Sequence, residues 1–230
     1  GILRSGEGRE QSMLLMKYGV HGEGHGHFDK LQFIFYDQGR EVIPDYGFCR
    51  WINIEPKMGG RYLPENKSWA MQTIAHNTVT VDRKCQNDGS RKEADEMSGQ
   101  RHFFETGDPR VQVMSARAEG YYPGVSMQRT MLLVRDERLP YPVVVDLFRV
   151  VSDRVHCYDY PIHYRGQLIA ADFSQSGSAD LLRRIPGAML QVAQQVAHQR
   201  VVADQQDIAH RHQLFGDLVR IGFRSQPLDG

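Results

Sequence analysis

The chain has 230 residues, of which 40% are hydrophobic and 24% charged, which is enough to bury a sizeable core. Its 28 Lys and Arg residues balance 28 Asp and Glu residues, so we expect no broad basic surface that would bind nucleic acid. No apolar run approaches the length of a membrane span, so no membrane partner is expected either. The cysteines are odd in number and widely spaced, which excludes a disulfide framework and a cysteine zinc site: Cys49, Cys85 and Cys157.

The first half of the chain has the pattern of short strands joined by turns. Alternating β-branched, aromatic and polar residues predict four strands: Ser12–Val20, Leu31–Tyr36, Glu41–Ile43 and His76–Asp82. The turn Asp37–Arg40 joins the second and third of these into a hairpin. Phe48–Met71 is irregular yet aromatic, which favours a binding surface over a spacer. Arg83–Gln100 is predicted to be a polar connection at the surface.

The second half continues with extended segments divided by Gly, Pro and Asp. These segments are Arg101–Glu105, Val111–Ala118, Ser126–Arg135, Tyr141–Val151 and Arg154–Tyr164. Many short strands without a clear helix predict a mainly β fold, an antiparallel β-sandwich that spans residues 1–172.

Residues 173–230 differ from the rest, because no aromatic residue occurs between Ser174 and Leu214. Apolar residues three or four apart predict a C-terminal helix, with Pro186 in its first turn, in a tail that is partly helical or loosely ordered. The stripe comprises Leu182, Ile185, Met189, Val192 and Val196.

The segment Val20–Leu31 contains more groups able to bind a metal or transfer a proton than any other part of the sequence. Three histidines and two carboxylates fall within nine residues and alternate with glycines, which let the backbone turn and a ligand approach. The segment leads directly into a predicted strand. On an extended backbone His25 and His27 would share one face.

Two ordinary explanations compete with a metal site. A histidine pair is commonly structural, Asp45 could be a turn carboxylate, and His76 could be a strand histidine bonded to a carbonyl. Two imidazoles and one carboxylate are, however, a donor set that zinc accepts. Arg50 and Tyr62 would by default be a surface cation and a packed aromatic residue.

Several motifs resemble the C-terminal β-domain of the heparinase II/III-like polysaccharide lyases, and most closely that of the oligo-alginate lyases of polysaccharide lyase family 17. The resemblance extends over about residues 1–170, and the Trp69–Thr78 block is its most specific part. The motifs are Gly24–Leu31, Asp45–Gly47, Gly59–Tyr62, Trp69–Thr78 and, less tightly, Tyr158–Gly166.

The resemblance implies a role for each matching residue. It implies a zinc ion of structural role, held by His27, Asp45 and His76. It implies that His25 is an active-site histidine near the substrate carboxylate, and that substrate is also contacted by Arg50, Tyr62 and Gln72. It further implies a periplasmic or secreted protein, and a homodimer is an additional expectation.

The implied reaction is β-elimination on a uronate, in which hydrogen-bond donors neutralise the carboxylate beside the C5 proton. The preferred substrate is an alginate oligosaccharide. One alternative is a lyase of the same superfamily that acts on a glycosaminoglycan of the heparin type. The other is a non-catalytic, zinc-stabilised sandwich that binds carbohydrate.

The family carries its principal catalytic tyrosine and an Asn-His pair on an N-terminal α/α-toroid. This chain opens Gly1-Ile2-Leu3-Arg4 without a start methionine, so we expect it to be a piece of something longer. Because elimination needs a base within reach of C5, we expect this chain alone not to turn over substrate.

Overall fold

A computed structural model describes residues 1–45, 63–139 and 141–165, together with the backbone of 167–171, 195–202 and 221–224. The strands in these parts are β1 Ile2–Ser5, β2 Ser12–Lys17, β3 Gln32–Asp37, β4 Arg40–Ile43, β5 Thr80–Val81, β6 Gln100–Asp108, β7 Val111–Tyr122, β8 Val125–Val134, β9 Val143–Ser152, β10 Cys157–Tyr164, β11 Gln167–Ala171, β12 Gln195–Val202 and β13 Ile221–Arg224. One short α-helix, α1, covers Arg91–Asp95. None of the helices in these ranges is long and apolar enough to cross a membrane.

The strands form antiparallel sheets that bury a common core. One four-stranded sheet has the order β1-β2-β3-β4 and another β6-β7-β8-β9, while β10 pairs with both β5 and β12, and β11 pairs with β13. Inward residues of both four-stranded sheets meet in one hydrophobic cluster, which includes Leu14, Phe33, Met114, Met131 and Leu133. The predicted mainly β, antiparallel fold is therefore confirmed.

Three local predictions need correction. The strand predicted at His76–Asp82 shrinks to β5, because a 3-10 turn occupies Thr73–Ala75 and Asp82 has a left-handed φ of 52°. The connection predicted to be a polar surface segment contains Gln86, whose side chain is fully buried. Val196, the last residue of the predicted helical stripe, lies on β12 and so on a strand. The other residues of that stripe lie outside the described residues.

The core contains one fully buried arginine, Arg129 on β8. Its Nε and Nη2 donate to the carboxylate of Asp146 on β9, at 2.8 and 2.5 Å. The Tyr160 hydroxyl also contacts both partners, and the guanidinium lies 4.4 Å from the centroid of the Phe33 ring. The charge is thus paired and hydrogen-bonded, as a buried cation must be.

Arg129 also connects the segments that carry two of the three predicted zinc ligands, His27 and His76. Its Nη1 donates to the backbone oxygens of Leu31 and Asn77, both at 2.6 Å. Leu31 follows the histidine-rich segment, and Asn77 follows His76. One side chain of the core therefore fixes the spacing of these two segments.

Asn77 extends this connection to two further strands. Its Nδ2 donates to the backbone oxygens of Phe33 and Pro44, and its Oδ1 accepts from the backbone nitrogen of His163. Pro44 immediately precedes Asp45. Buried side chains therefore bond to the backbone next to Asp45 and next to His76, and to Leu31, four residues after His27.

The histidine-rich segment folds back over His21, whose ring is buried 5.1 Å from that of Phe28. A Cβ at Gly26 would lie only 2.3 Å from the backbone oxygen of His21 and 2.4 Å from its ring. Only glycine fits at this close approach. Gly26 therefore determines how the chain passes from His25 to His27.

Removing the carboxylate partner of Arg129 should destabilise the sandwich strongly. Asp146→Ala leaves a desolvated, uncompensated guanidinium, and we expect a loss of about 3–5 kcal/mol in the free energy of unfolding. Urea unfolding followed by circular dichroism measures it. Asp108→Ala, which breaks the exposed pair with Arg110, is the control and should leave the midpoint almost unchanged. Equal losses in the two variants would contradict the role of Arg129.

Gly26→Ala should disturb the histidine-rich segment because the new methyl group collides with the His21 backbone. We expect a loss of about 1–3 kcal/mol in stability, the range typical of overpacking, together with shifted NMR signals of His27. Gly19→Ala is the matched control, since a Cβ there meets nothing within 4 Å. Native-like stability and spectra for Gly26→Ala would show that the close contact is dispensable.

Candidate functional site

The predicted zinc ligands converge at one place in the structure. The Nδ1 of His76 donates to Oδ1 of Asp45 at 2.6 Å, and the ring of His27 lies 5.2 Å from that of His76. His27 and His76 are buried, while the Asp45 side chain is 23% exposed. Segments separated by up to 49 positions in sequence thus meet in one small cluster, which we call the histidine cluster.

The electrostatics of the histidine cluster favour metal binding over proton storage. Burial first, and then the charge of neighbouring His76, lower the pKa of His27 to about 4, so its ring is neutral at neutral pH. Burial alone would raise the pKa of Asp45, but the hydrogen bond from His76 and the charges of His76, His27 and Lys17 together outweigh it, so the pKa lies below its ordinary value. Neutral imidazoles and an ionised carboxylate are the forms that bind metals.

The donor set fits a zinc ion, although the side chains do not surround one point as they stand. Within the described part of the chain, His76 Nε2 is buried without a hydrogen-bond partner, whereas its Nδ1 is held by Asp45. Such a carboxylate–histidine pair orients an imidazole for a metal. Over residues 1–45, 63–139 and 141–165, no three His, Cys, Asp or Glu side chains are already spaced to hold an ion. The zinc site therefore stays a prediction.

His25 differs from His27 and His76 of the histidine cluster in its exposure. It ends the 3-10 turn Glu23–His25 and is exposed, whereas His27 two positions later is buried. The turn is closed by a hydrogen bond from the His25 backbone nitrogen to the Gly22 oxygen at 3.0 Å. The backbone is not extended here, so the two histidines do not share a face. His25 is thus available to solvent and His27 is not.

Only one of the three predicted substrate contacts lies among the described residues. Arg50 and Tyr62 lie outside the described residues. Gln72 is half-buried, and its Nε2 donates to the backbone oxygen of Lys67 at 2.8 Å. Gln72 and Gly24 line the same cavity, so the structure brings Gln72 close to the turn that carries His25.

The sequence analysis missed the residues that support the site. Arg129 falls at an inward position of β8, between Met127 and Met131, and Asp146 falls at the equivalent position between Val144 and Phe148 on β9. Opposite charges at inward positions of neighbouring strands were the available signal. Gln86, which bonds to both the backbone nitrogen and oxygen of Lys30, left no such trace.

A family model and two similar proteins of known family relate this chain to the same family of proteins. The model of the heparinase II/III-like C-terminal domain matches residues 2–216. An alginate lyase of Stenotrophomonas maltophilia is 44% identical over 172 residues, which cover 75% of this chain and 23% of that protein. An exo-oligoalginate lyase of Saccharophagus degradans is 39% identical over 184 residues, 80% of this chain and 25% of that protein.

Solved structures agree on the fold. A heparinase III superposes with a TM-score of 0.55 at 19% identity, covering 74% of this chain and 23% of that chain. A heparan sulfate lyase of Pedobacter heparinus gives a TM-score of 0.52 at 22% identity, with 72% and 23% coverage. The chain spans about a quarter of the length of its curated relatives. By its sequence match over most of its length, the chain belongs to the heparinase II/III-like C-terminal domain family of polysaccharide lyases.

Proposed function

We propose that this domain supplies one half of a lyase site that cleaves alginate oligosaccharides by β-elimination. The observation that carries the proposal is that His25 is exposed, on a turn that leads directly into buried residues. The chain is also 44% and 39% identical to proteins named as alginate lyases. The other half of the site, including the base, would come from the part of the relatives that this chain does not span.

The residues of this domain suit the charge that develops during elimination. The C5 proton of a uronate is barely acidic until its carboxylate is neutralised, and donors aimed at that carboxylate stabilise the enediolate-like charge. His25 is assigned to this task, and Arg50 to binding the same carboxylate in the substrate and the transition state alike. Tyr62 contributes a hydroxyl that can hold the substrate or move a proton. Water access to His25 allows the substrate to enter from the surface.

A zinc ion in the histidine cluster is the second part of the proposal. When bound, it would cross-link the segments that carry His27, Asp45 and His76 and so stabilise the fold. The buried, unpartnered Nε2 of His76 and the neutral ring of His27 support it. The role is structural, because the histidine cluster is buried whereas His25 is exposed.

A glycosaminoglycan substrate has weaker support. The solved heparinase III and heparan sulfate lyase structures share 19–22% identity with this chain, which indicates the fold alone. The alginate lyases share twice that identity over a similar length. We therefore assign alginate, and heparan sulfate serves as the comparison substrate below.

The zinc proposal predicts a specific difference between two buried histidines. Wild-type chain should contain about one zinc per chain, and a chelator should lower its melting temperature by several degrees, because metal binding is coupled to folding. His27→Ala should lose both the zinc and the chelator effect. Elemental analysis and differential scanning calorimetry measure these two quantities.

His156→Ala is the matched control. His156 is as buried as His27, and its Nδ1 pairs with the carboxylate of Asp82 at 2.7 Å, as that of His76 pairs with Asp45. It should lose stability but keep its zinc. Wild-type protein without stoichiometric metal, or a chelator effect that survives in His27→Ala, would refute the zinc assignment.

The substrate proposal predicts separable kinetic effects. A chimera in which this chain replaces the matching segment of the Stenotrophomonas alginate lyase should release unsaturated products from alginate oligosaccharides, measured by ultraviolet absorbance. We expect His25→Ala to lower kcat by about 10²–10³-fold, because its donor acts on the developing charge. Arg50→Ala, Tyr62→Phe and Gln72→Ala should mainly raise KM, by about tenfold for a lost charged contact.

The control is His102→Ala, an exposed histidine on β6 of the other sheet, which should behave as the unsubstituted chimera. If all four site variants matched the unsubstituted chimera, the assigned roles would be wrong. Activity on heparan sulfate without activity on alginate would replace the substrate assignment.

A further inference from the structure

A cavity of about 370 Å³ opens beside the turn that carries His25. It lies between that turn, the helical turn Asn66–Ala70 and the beginning of α1. A backbone hydrogen bond from Phe28 to Met71, at 3.0 Å, joins the first two walls. The lining residues are Gly24, Phe28, Asn66, Lys67, Met71, Gln72, Gly89 and Arg91.

Two cations line this cavity and give it a positive character. Lys67 is exposed, and the Arg91 side chain is 63% exposed. Within the described residues, the ion pair of Arg91 is a long one with Asp95, 3.6 Å from Nε to Oδ2, so its guanidinium can still pair with another anion. Asp95 lies on the next turn of α1, and none of the described lining residues carries a negative charge.

One lining residue of the cavity, Asn66, carries a buried acceptor without a donor. Asn66 is 2% exposed, and its Oδ1 has no hydrogen-bond partner among the residues that the structure describes. A buried amide oxygen left without a donor is costly, and an incoming hydroxyl group would satisfy it. The neighbouring Gln72 is already fixed through its Nε2 to the Lys67 backbone, so its orientation is set before a ligand arrives.

The chemistry of these groups specifies the ligand. The two cations can pair with a carboxylate, and the unpaired amide oxygen can accept a hydrogen bond from a hydroxyl group. The apolar edges of Phe28 and Met71 can pack against the C–H face of a ring. The volume is at the lower end of the range for ligand sites, which fits one or two sugar rings. A hexuronate residue offers all three features in one unit.

We propose that Asn66, Lys67 and Arg91 form an additional subsite that binds a uronate residue next to the one that His25 contacts. The subsite rests on the proposed function for the identity of the sugar. It assigns to Lys67 and Arg91 the recognition of a second carboxylate along the oligosaccharide, and to Asn66 the recognition of a hydroxyl group. Gln72 lies at the boundary between the two positions.

Isothermal titration of the 230-residue chain tests the subsite without any turnover. Mannuronate and guluronate trisaccharides should bind with a Kd on the order of 1 mM or tighter, and neutral mannotriose should bind at least about tenfold more weakly. A glucuronate-containing tetrasaccharide of unsulfated glycosaminoglycan distinguishes the two sources of uronate. Affinity for the uronates should fall with added salt, because charge pairs at an exposed site are screened.

Three variants each change one side chain of the subsite. Lys67→Gln and Arg91→Gln should each raise the Kd for alginate trisaccharides about fivefold to tenfold, with no effect on mannotriose. Asn66→Asp keeps the side-chain shape and adds a negative charge, so it should weaken uronate binding at least as much. Melting curves of all variants check that they fold.

Arg138→Gln is the control, because Arg138 is an exposed arginine paired with Asp136 on a distant turn and does not line the cavity. Its Kd should match the wild type. The subsite is overturned if the wild-type chain binds none of the uronates, if mannotriose binds equally well, or if Lys67→Gln and Arg91→Gln both leave the Kd unchanged.

Failure of the subsite and failure of the proposed function give different results. An active alginate chimera together with unchanged binding by both Lys67→Gln and Arg91→Gln removes only the subsite. An inactive chimera together with uronate binding that depends on Lys67 and Arg91 removes only the assigned reaction. Preferential binding of the glycosaminoglycan fragment keeps the subsite and transfers it to the other source of uronate.

Discussion

The buried guanidinium of Arg129 is the interaction on which the rest of this structure depends. A charge in the centre of a β-sandwich is tolerated only because each N–H donor of the guanidinium is hydrogen-bonded. Asp146 accepts from Nε and Nη2, and the carbonyl oxygens of Leu31 and Asn77 accept from Nη1. A hydrophobic residue of similar volume could pack there, but it could not bond to two backbone oxygens. The polar centre therefore fixes the relative positions of two loops, which apolar packing alone would leave loosely specified.

This arrangement separates support from chemistry. The buried side chains of Arg129 and Asn77 bond to the backbone next to Asp45 and next to His76, and to Leu31 after His27, so the fold itself holds these segments. His25, in contrast, protrudes from a short turn whose path is set by the fit of Gly26 against His21. A metal bound beneath would add a cross-link to segments already held in place, in keeping with a structural role.

The sequence predicted those parts of the fold in which local pattern and tertiary environment agree. Strands β7 to β10 follow from alternation, since one face of each packs on the core, and the hairpin of β3 and β4 follows from its turn residues. It mispredicted the strand after His76, where Asp82 takes a left-handed conformation that the alternating pattern does not encode. It mispredicted Val196, because a short apolar stripe fits helix and strand alike and pairing with β10 decides between them. The convergence of Asp45 and His76 came from the resemblance, since no spacing rule relates positions 31 residues apart.

The net charge of zero and the cationic cavity are compatible, and together they indicate the kind of ligand. A molecule with balanced charges has no long-range field to collect a polyanion, and at physiological ionic strength such fields decay within about 8 Å in any case. Recognition must then come from contact, through a few groups such as Lys67, Arg91 and the unpartnered amide of Asn66. In the proposed subsite, one or two rings of a uronate chain would make such contacts. The same local groups would therefore distinguish a uronate ring from a neutral sugar ring, because only the uronate carries a carboxylate for the two cations.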